Sequence, residues 1–334
     1  MILRIRLLIS LCLLLSHFAC VFVSANEEEL EENIYKGPKT GSWANCTNEI
    51  GESEPIDHLD SSFTQVSCNN IHYRIPQKSL DRIDQSIVIG VLSGSAMRNR
   101  RDIIRSTWGY KKNNIFFIVG GKFEDIEGEY NRFGDLLWID KEEVYVTETS
   151  VLTFKTESFL SIMYERIMKL SDNVSYLFKT DDDSYVNIRA LNSHLLHDNS
   201  IHYWGHCRTD IQPKPHRNNV IPWQKKWYIS YDVYPEPYYP YYCKGAGYAL
   251  SKKFMNCASR HIAKIRYLPN EDVAVGMLAE RCNIEVTNDD RVWIRWEDED
   301  VISMDGKIVQ HYVKSEEEMR LHHKSTTGVR GVLL

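Results

Sequence analysis

Along the chain, short apolar runs alternate with segments of helical spacing. Ile87 to Leu92 (IVIGVL), Ile115 to Val119 (IFFIV) and Leu136 to Ile139 (LLWI) are each uninterrupted apolar stretches of strand length. Such runs predict strands buried on both faces. Between them, Arg98 to Trp108 has helix-like spacing, and Lys122 to Phe133 reads as a charged helix. Thr153 to Leu170 sets Phe159, Ile162, Met163 and Ile167 on one helical face. A fourth strand, Tyr176 to Phe178, runs straight into Asp181, Asp182 and Asp183. Strands alternating with helices predict βαβ units and a mostly parallel sheet in an α/β fold.

The pattern changes at the N-terminus. Leu7 to Ala25 contains no acid, lysine or arginine and approaches the length that spans hydrocarbon. Arg4 and Arg6 precede it, and five glutamates follow among residues 27 to 32. This asymmetry predicts a cytoplasmic tail at 1–6, a signal anchor at 7–25 and a lumenal remainder. A cleaved signal peptide ending near Ala25 is the alternative. Residues 26–82 are polar and weakly periodic, which predicts a stem; residues 83–334 form the expected globular domain.

Composition sharpens this reading. The 334 residues are 43% hydrophobic and 26% charged, which suits a sizeable core. A formal net charge of −6 argues against a nucleic-acid binder, since no excess of Lys and Arg stands ready to neutralise phosphates. Asn45-Cys46-Thr47 and Asn173-Val174-Ser175 are glycosylation acceptor patterns, in keeping with a lumenal protein. Of eight cysteines, Cys12 and Cys20 lie in the apolar segment. The other six allow 15 complete pairings, and the sequence does not choose among them.

Three adjacent carboxylates repel one another. At a strand's carboxyl end in an α/β sheet, where ligands bind, a divalent cation offsets that repulsion. The run lacks the glycine and glutamate of an EF-hand loop, and the chain has no GxxxxGK[ST] phosphate loop. A diphosphate held by metal and arginine remains. Arg98, Arg100, Arg101 and Arg105 are available, and Arg101 and Arg105 share a helical face. Trp223 to Tyr242 carries nine aromatics and three prolines, a surface suited to the apolar faces of sugars. Cys243 to Tyr248 (CKGAGY) places Gly245 and Gly247 where backbone can approach a ligand. Glu271-Asp272 opens a helical stretch, where acids also serve as ordinary caps.

RRDIIRSTWG, FKTDDDSYVN, YYPYYCKGAGYALS and NEDVAVGMLAERCNI occur in this order. Together they resemble the β1,3-galactosyltransferase family of type II membrane glycosyltransferases, which includes N-acetylglucosaminyl- and N-acetylgalactosaminyltransferases. The resemblance covers roughly residues 86–315. It implies a GT-A fold, a Rossmann-like nucleotide-sugar half merged with an acceptor half. It also implies a UDP-sugar donor, Mn²⁺, inversion at the anomeric carbon and Golgi residence. Asp183 matches the metal ligand of the family's acidic motif, with Asp181 towards the nucleoside and Asp182 between them. Arg101 and Arg105 match arginines near the donor, Gly245 and Gly247 an element near the donor sugar, and Asp272 the general base. His311, in KIVQHY, stands where such enzymes often have a histidine ligand. Ala274 replaces a common aromatic, and TFKT at 153–156 departs from the usual lead, so the donor is not assigned by analogy. The expected activity is galactose transfer from UDP-galactose, in β1,3 linkage, to a glycan on lipid or protein. Transfer of N-acetylgalactosamine or N-acetylglucosamine is the alternative within the class, and a non-catalytic, cation-dependent glycan-binding protein is the alternative outside it.

Overall fold

A computed structural model describes residues 66–68, 71–145, 150–221, 225–262, 267–295, 303–313, 315–329 and 331–332. They lie in one compact unit, Gly41–Leu334. The expected tail, anchor and most of the stem, with Asn45 and Cys46, fall outside the described residues. Among the described residues no helix is long and apolar enough to cross a membrane.

The strands are β1 (Val66–Cys68), β2 (Ile71–Arg74), β3 (Ile87–Leu92), β4 (Ile115–Val119), β5 (Leu136–Ile139), β6 (Tyr176–Asp181), β7 (Tyr185–Val186), β8 (Tyr203–Cys207), β9 (Cys243–Ser251), β10 (Thr287–Asn288), β11 (Val292–Ile294) and β12 (Val309–His311). The helices are α1 (Gln77–Leu80), α2 (Arg98–Ser106), α3 (Glu127–Phe133), α4 (Val151–Met163), α5 (Ile188–Leu195), α6 (Lys252–Ala258), α7 (Glu271–Arg281) and α8 (Glu316–Thr327).

The main sheet has the order β1-β2-β5-β4-β3-β6-β9-β8-β10. Its centre, β5-β4-β3-β6, is parallel, and β9 and β2 run against it. This mixed, mostly parallel sheet agrees with the expected α/β class. The chain lays β4 and β5 to one side of β3 and β6 to the other. The topological switch point therefore falls between β3 and β6, where open α/β sheets bind ligands.

The apolar runs at 87–92, 115–119 and 136–139 form strands buried at every position. Alternate side chains feed two cores. Val88, Phe116 and Leu177 meet Phe159 and Ile162 of α4 and Val275 of α7 on one face. Ile89, Phe117 and Phe178 meet Ile103 and Ile104 of α2 and Leu191 of α5 on the other.

Three boundaries differ from the sequence reading. The charged segment 122–133 splits into a 3₁₀ turn (Phe123–Asp125) and α3, which ends at Gly134 in the left-handed region. The segment 153–170 begins earlier, because Ser150 caps α4 by accepting from Leu152 N, and ends in a π turn (Tyr164–Met168). The sheet also reaches into the stretch whose texture suggests a stem: β2 pairs with β5, and Tyr73 and Ile75 are buried. Four residues cannot display a period, so β2 is invisible to pattern.

A second sheet, β11-β12-β7, crosses the end of the first. β7 begins just beyond Asp183, after Ser184, and Gln310 of β12 pairs with Tyr185. Val313 N also donates to Asp183 O at 2.8 Å. These short pairings carry His311 from late in the chain to the acidic run. Disulfides join Cys207 to Cys243, across β8 and β9, and Cys257 to Cys282. Two bridges between described cysteines accord with an oxidising compartment.

Candidate active site

At the switch point, β6 ends on Asp181 and the chain turns through Asp182 and Asp183. Asp182 diverges from the other two. Asp181, Asp183 and His311 each offer a ligand atom, all within 4.8 Å of one another. Asp183 Oδ1 is buried, 3.2 Å from His311 Nδ1, and no donor among the described residues is in hydrogen-bond geometry with it. A buried carboxylate oxygen left in that state is costly unless a cation satisfies it. Two carboxylates and an imidazole thus fit a divalent metal ion. Burial opposes the charge on Asp183, yet His311 and Arg100 beside it hold its carboxyl below the ordinary value. The His311 imidazole is fixed by Ser184 Oγ, 3.0 Å from Nδ1. The expected placement of Asp181 against the nucleoside is thereby qualified, since Asp181 sits with the metal group.

Asp182 turns the other way. It accepts from Ser93 Oγ and from Arg100 Nη1, both at 2.8 Å. Burial raises its carboxyl despite these donors. Its role here is to anchor Arg100, whose guanidinium also lies 3.8 Å from Asp183 and whose side chain is 44% exposed.

Arg101 and Arg105 are differently engaged. Arg101 is fully buried, and its five donors go to both oxygens of Glu129, Ser93 Oγ, Gly94 O and Ser95 O. Arg105 is spent on Asp135, Asp102 and Glu129, each at 2.7 Å. Two arginines on one helical face suggest a phosphate clamp, but that face turns inward and meets the buried Glu129 and the half-buried Asp135 and Asp102. Arg100, one residue round the helix, faces the acidic run. Breaking a buried pair leaves an uncompensated charge, so Arg101→Leu is expected to lose about 3–5 kcal/mol in urea unfolding.

Asp272 stands in the first turn of α7, partly buried. Oδ1 accepts from Val273 N at 2.9 Å and Oδ2 from Gly245 N at 3.3 Å. Burial, then the neighbouring Glu271 carboxylate, pushes its carboxyl up to about 7. A carboxylate tuned to that range is suited to general-base work near neutral pH. Gly245 is thus in the site through its backbone. A Cβ there would lie 2.5 Å from Glu271 Oε1. Gly247 is not: it pairs with Thr180 inside β9 and packs against Phe178.

Glu271 is no competing base. Oε1 accepts from Lys179 Nζ at 2.6 Å, and Oε2 accepts from Tyr248 Oη at 2.6 Å. Lys179, 1% exposed, also contacts Asp181 Oδ1 at 2.9 Å and donates to Gly245 O at 2.7 Å. Burial opposes its charge, but Asp181 and Glu271 hold the ammonium above the ordinary lysine value. Its signal in the sequence is the lone cation within the otherwise apolar YLFKT, which must find acids. A similar pair, Lys155 and Glu143, lies behind Ser95; Ser95 N and Gly120 N donate to Glu143, whose carboxyl is pulled down to about 2 by Lys155 against the opposing effect of burial.

The aromatic segment packs beside α7. Ile229, Tyr234 and Tyr239 form a small core with Leu268 and Val273. Gly276 lets Tyr242 approach, because a Cβ would lie 2.6 Å from the tyrosine's own. Arg217 pins the segment by donating to the carbonyls of Ile229, Ser230, Tyr234 and Glu236. Tyr231, Tyr238 and Tyr241 remain exposed.

Comparison with known proteins adds the decisive observation: the family model described as galactosyltransferase matches residues 99–290, more than half of the chain. The chain belongs to the galactosyltransferase family. It is a glycosyltransferase of the β1,3 class, which sets aside the non-catalytic reading. It is 27% identical over 224 residues to human beta-1,3-galactosyltransferase 5, covering 64% of this chain and 68% of that one. It is 27% identical over 285 residues to human UDP-GalNAc:beta-1,3-N-acetylgalactosaminyltransferase 1, covering 80% and 79%. Among solved structures, the apo form of mouse xyloside xylosyltransferase 1 aligns over 69% of this chain and 97% of its own length, at 11% identity and a TM-score of 0.33.

Proposed function

We propose that the protein transfers galactose from UDP-galactose, with inversion, to a hydroxyl of an acceptor glycan in β1,3 linkage. The observation that carries this reading is the convergence of the acidic group and Asp272 at the carboxyl end of β6, joined through Lys179. Asp181, Asp183 and His311 would hold the cation, and an imidazole beside carboxylates favours Mn²⁺ over Mg²⁺. Such an ion supplies Lewis-acid neutralisation of charge on the departing diphosphate. Arg100 is placed to add a guanidinium to those phosphates. Asp272 takes the proton of the acceptor hydroxyl as its oxygen bonds the anomeric carbon and UDP leaves with the electron pair of the broken bond. The exposed tyrosines beside α7 offer apolar faces and phenols to the acceptor sugar, whether carried on lipid or protein.

N-acetylgalactosamine transfer is the second reading, favoured by the longer alignment with the N-acetylgalactosaminyltransferase. N-acetylglucosamine is the third donor to test. Incubating the purified domain with each UDP-sugar, Mn²⁺ and a panel of acceptors, and measuring UDP release, separates them. UDP-galactose is expected to be fastest; a faster UDP-GalNAc reaction replaces the first reading with the second.

We place this activity in the Golgi lumen, behind a single N-terminal anchor. Support comes from the charge asymmetry around residues 7–25, the two disulfides and an exposed Asn173. Protease treatment of sealed microsomes should leave the domain intact, and an endoglycosidase should shift its mobility. A cytosolic, unglycosylated chain would refute the placement.

If the aromatic segment receives the acceptor, Arg217→Ala should raise the acceptor KM about tenfold, the equivalent of about 1.4 kcal/mol. The donor KM should stay unchanged. Initial rates at varied acceptor and fixed donor read this directly.

A further inference from the structure

Lys179 has no part in the chemistry described above, yet it touches both halves of it. Its ammonium has three donors and meets three acceptors on three elements: Asp181 at the end of its own strand, Gly245 O on β9 and Glu271 Oε1 on α7. Gly245 takes one of those hydrogen bonds at its carbonyl oxygen and, from the preceding peptide unit, gives its N–H to Asp272 Oδ2. One buried cation therefore holds a carboxylate of the acidic metal group, the residue before the general base and the glycine whose N–H contacts the base. Glu271 is clamped from its other side by Tyr248, so α7 cannot slide without breaking this set.

We propose that Lys179 is a positioning residue that fixes the separation and orientation of Asp272 relative to the acidic metal group. A buried ion pair is weak evidence of stabilisation, because well-packed neutral residues of the same volume often serve as well. What a neutral pair cannot reproduce is the three-way register. An inverting displacement needs that register, since the base must address the acceptor hydroxyl on the face opposite the leaving group. A misplacement of about 1 Å can cost about 10²-fold in rate. The glycine at 245 belongs to the same device, as a side chain there would enter the space of Glu271 Oε1 and come within 3.2 Å of Lys179 Nζ.

The inference rests on the glycosyltransferase reading, and its test is built to fail separately from it. Lys179→Met alone strands Glu271 in the interior and is expected to lower the melting temperature. Lys179→Met with Glu271→Gln removes both charges, and the melting temperature is expected to return close to that of the wild type. In that double variant kcat for transfer should remain about 10²-fold low. Donor KM, and Mn²⁺ affinity read from the free-ion electron paramagnetic resonance signal, should change by less than about tenfold, the scale of one ordinary hydrogen bond. Recovery of kcat together with the melting temperature would overturn the proposal and leave Lys179 a structural ion pair. Loss of Mn²⁺ binding in proportion to kcat would overturn it too, because the effect would then lie at the metal group alone. A wild-type protein that binds Mn²⁺ and UDP but transfers no sugar would refute the functional reading itself.

Discussion

Asp272→Asn should lose about 10²–10⁴-fold in transfer rate, the usual contribution of a positioned general base, while its melting temperature and UDP affinity hold. Asparagine keeps one acceptor oxygen for the shorter bond from Val273 N and gives up only the longer, 3.3 Å contact with Gly245 N, so the first turn of α7 keeps its cap. Stability has a sign of its own. With the native carboxyl raised to about 7, the folded protein holds a proton between the ordinary carboxylate range and pH 7 that the unfolded chain has released. Native stability from this group therefore falls as pH rises through that window, and a neutral asparagine removes the fall. The wild-type transfer rate, in contrast, should drop as pH is lowered below about 7, because the base becomes protonated. Rates measured across pH for both proteins, with calorimetric melting in parallel, give the two signatures separately. If Asp272→Asn turns over normally, Asp272 is only a helix-terminal acid.

Asp183→Ala should abolish metal-dependent transfer and weaken Mn²⁺ binding without unfolding the domain. Asp183 supplies the buried oxygen that lies beside His311, and removing it breaks the group of ligands. Its backbone oxygen still accepts from Val313 N, so the junction of the two sheets keeps that tie. Repulsion among the remaining acids is relieved, so the melting temperature should be level or higher. Titration of Mn²⁺ and steady-state rates on the same preparation check both halves; near-normal, Mn²⁺-dependent turnover would refute the ligand assignment.

The alternation of Ile87 to Leu92, Ile115 to Val119 and Leu136 to Ile139 with helical segments is enough to read the central sheet, because strands buried on both faces must be apolar throughout. The acidic run is legible for the complementary reason: three carboxylates at a strand end need something that offsets their repulsion. The second sheet is not legible. β7 and β12 have two and three residues, too few for any period, and the proximity of His311 to Asp183 depends on their pairing. Arginine assignment fails more instructively. Spacing says that Arg101 and Arg105 share a face but not which way it points; Glu129 and Asp135, on and just beyond α3, decide that it points inward. Arg100 is left at the acidic run. Lys179 lies between these cases. A lysine inside a buried strand announces that acids must surround it, but only the fold names them as Asp181 and Glu271.

If the acidic group and Asp272 act together to displace UDP with inversion, the linkage of the product records it. The most direct test is proton nuclear magnetic resonance of the product made from UDP-galactose, whose sugar is α-linked, by the purified domain with Mn²⁺. The expected result is a new β-anomeric signal with the large coupling of diaxial protons, correlated across the linkage to carbon 3 of the acceptor sugar. An α-linked product, or no product from any UDP-sugar while UDP and Mn²⁺ still bind, would contradict it.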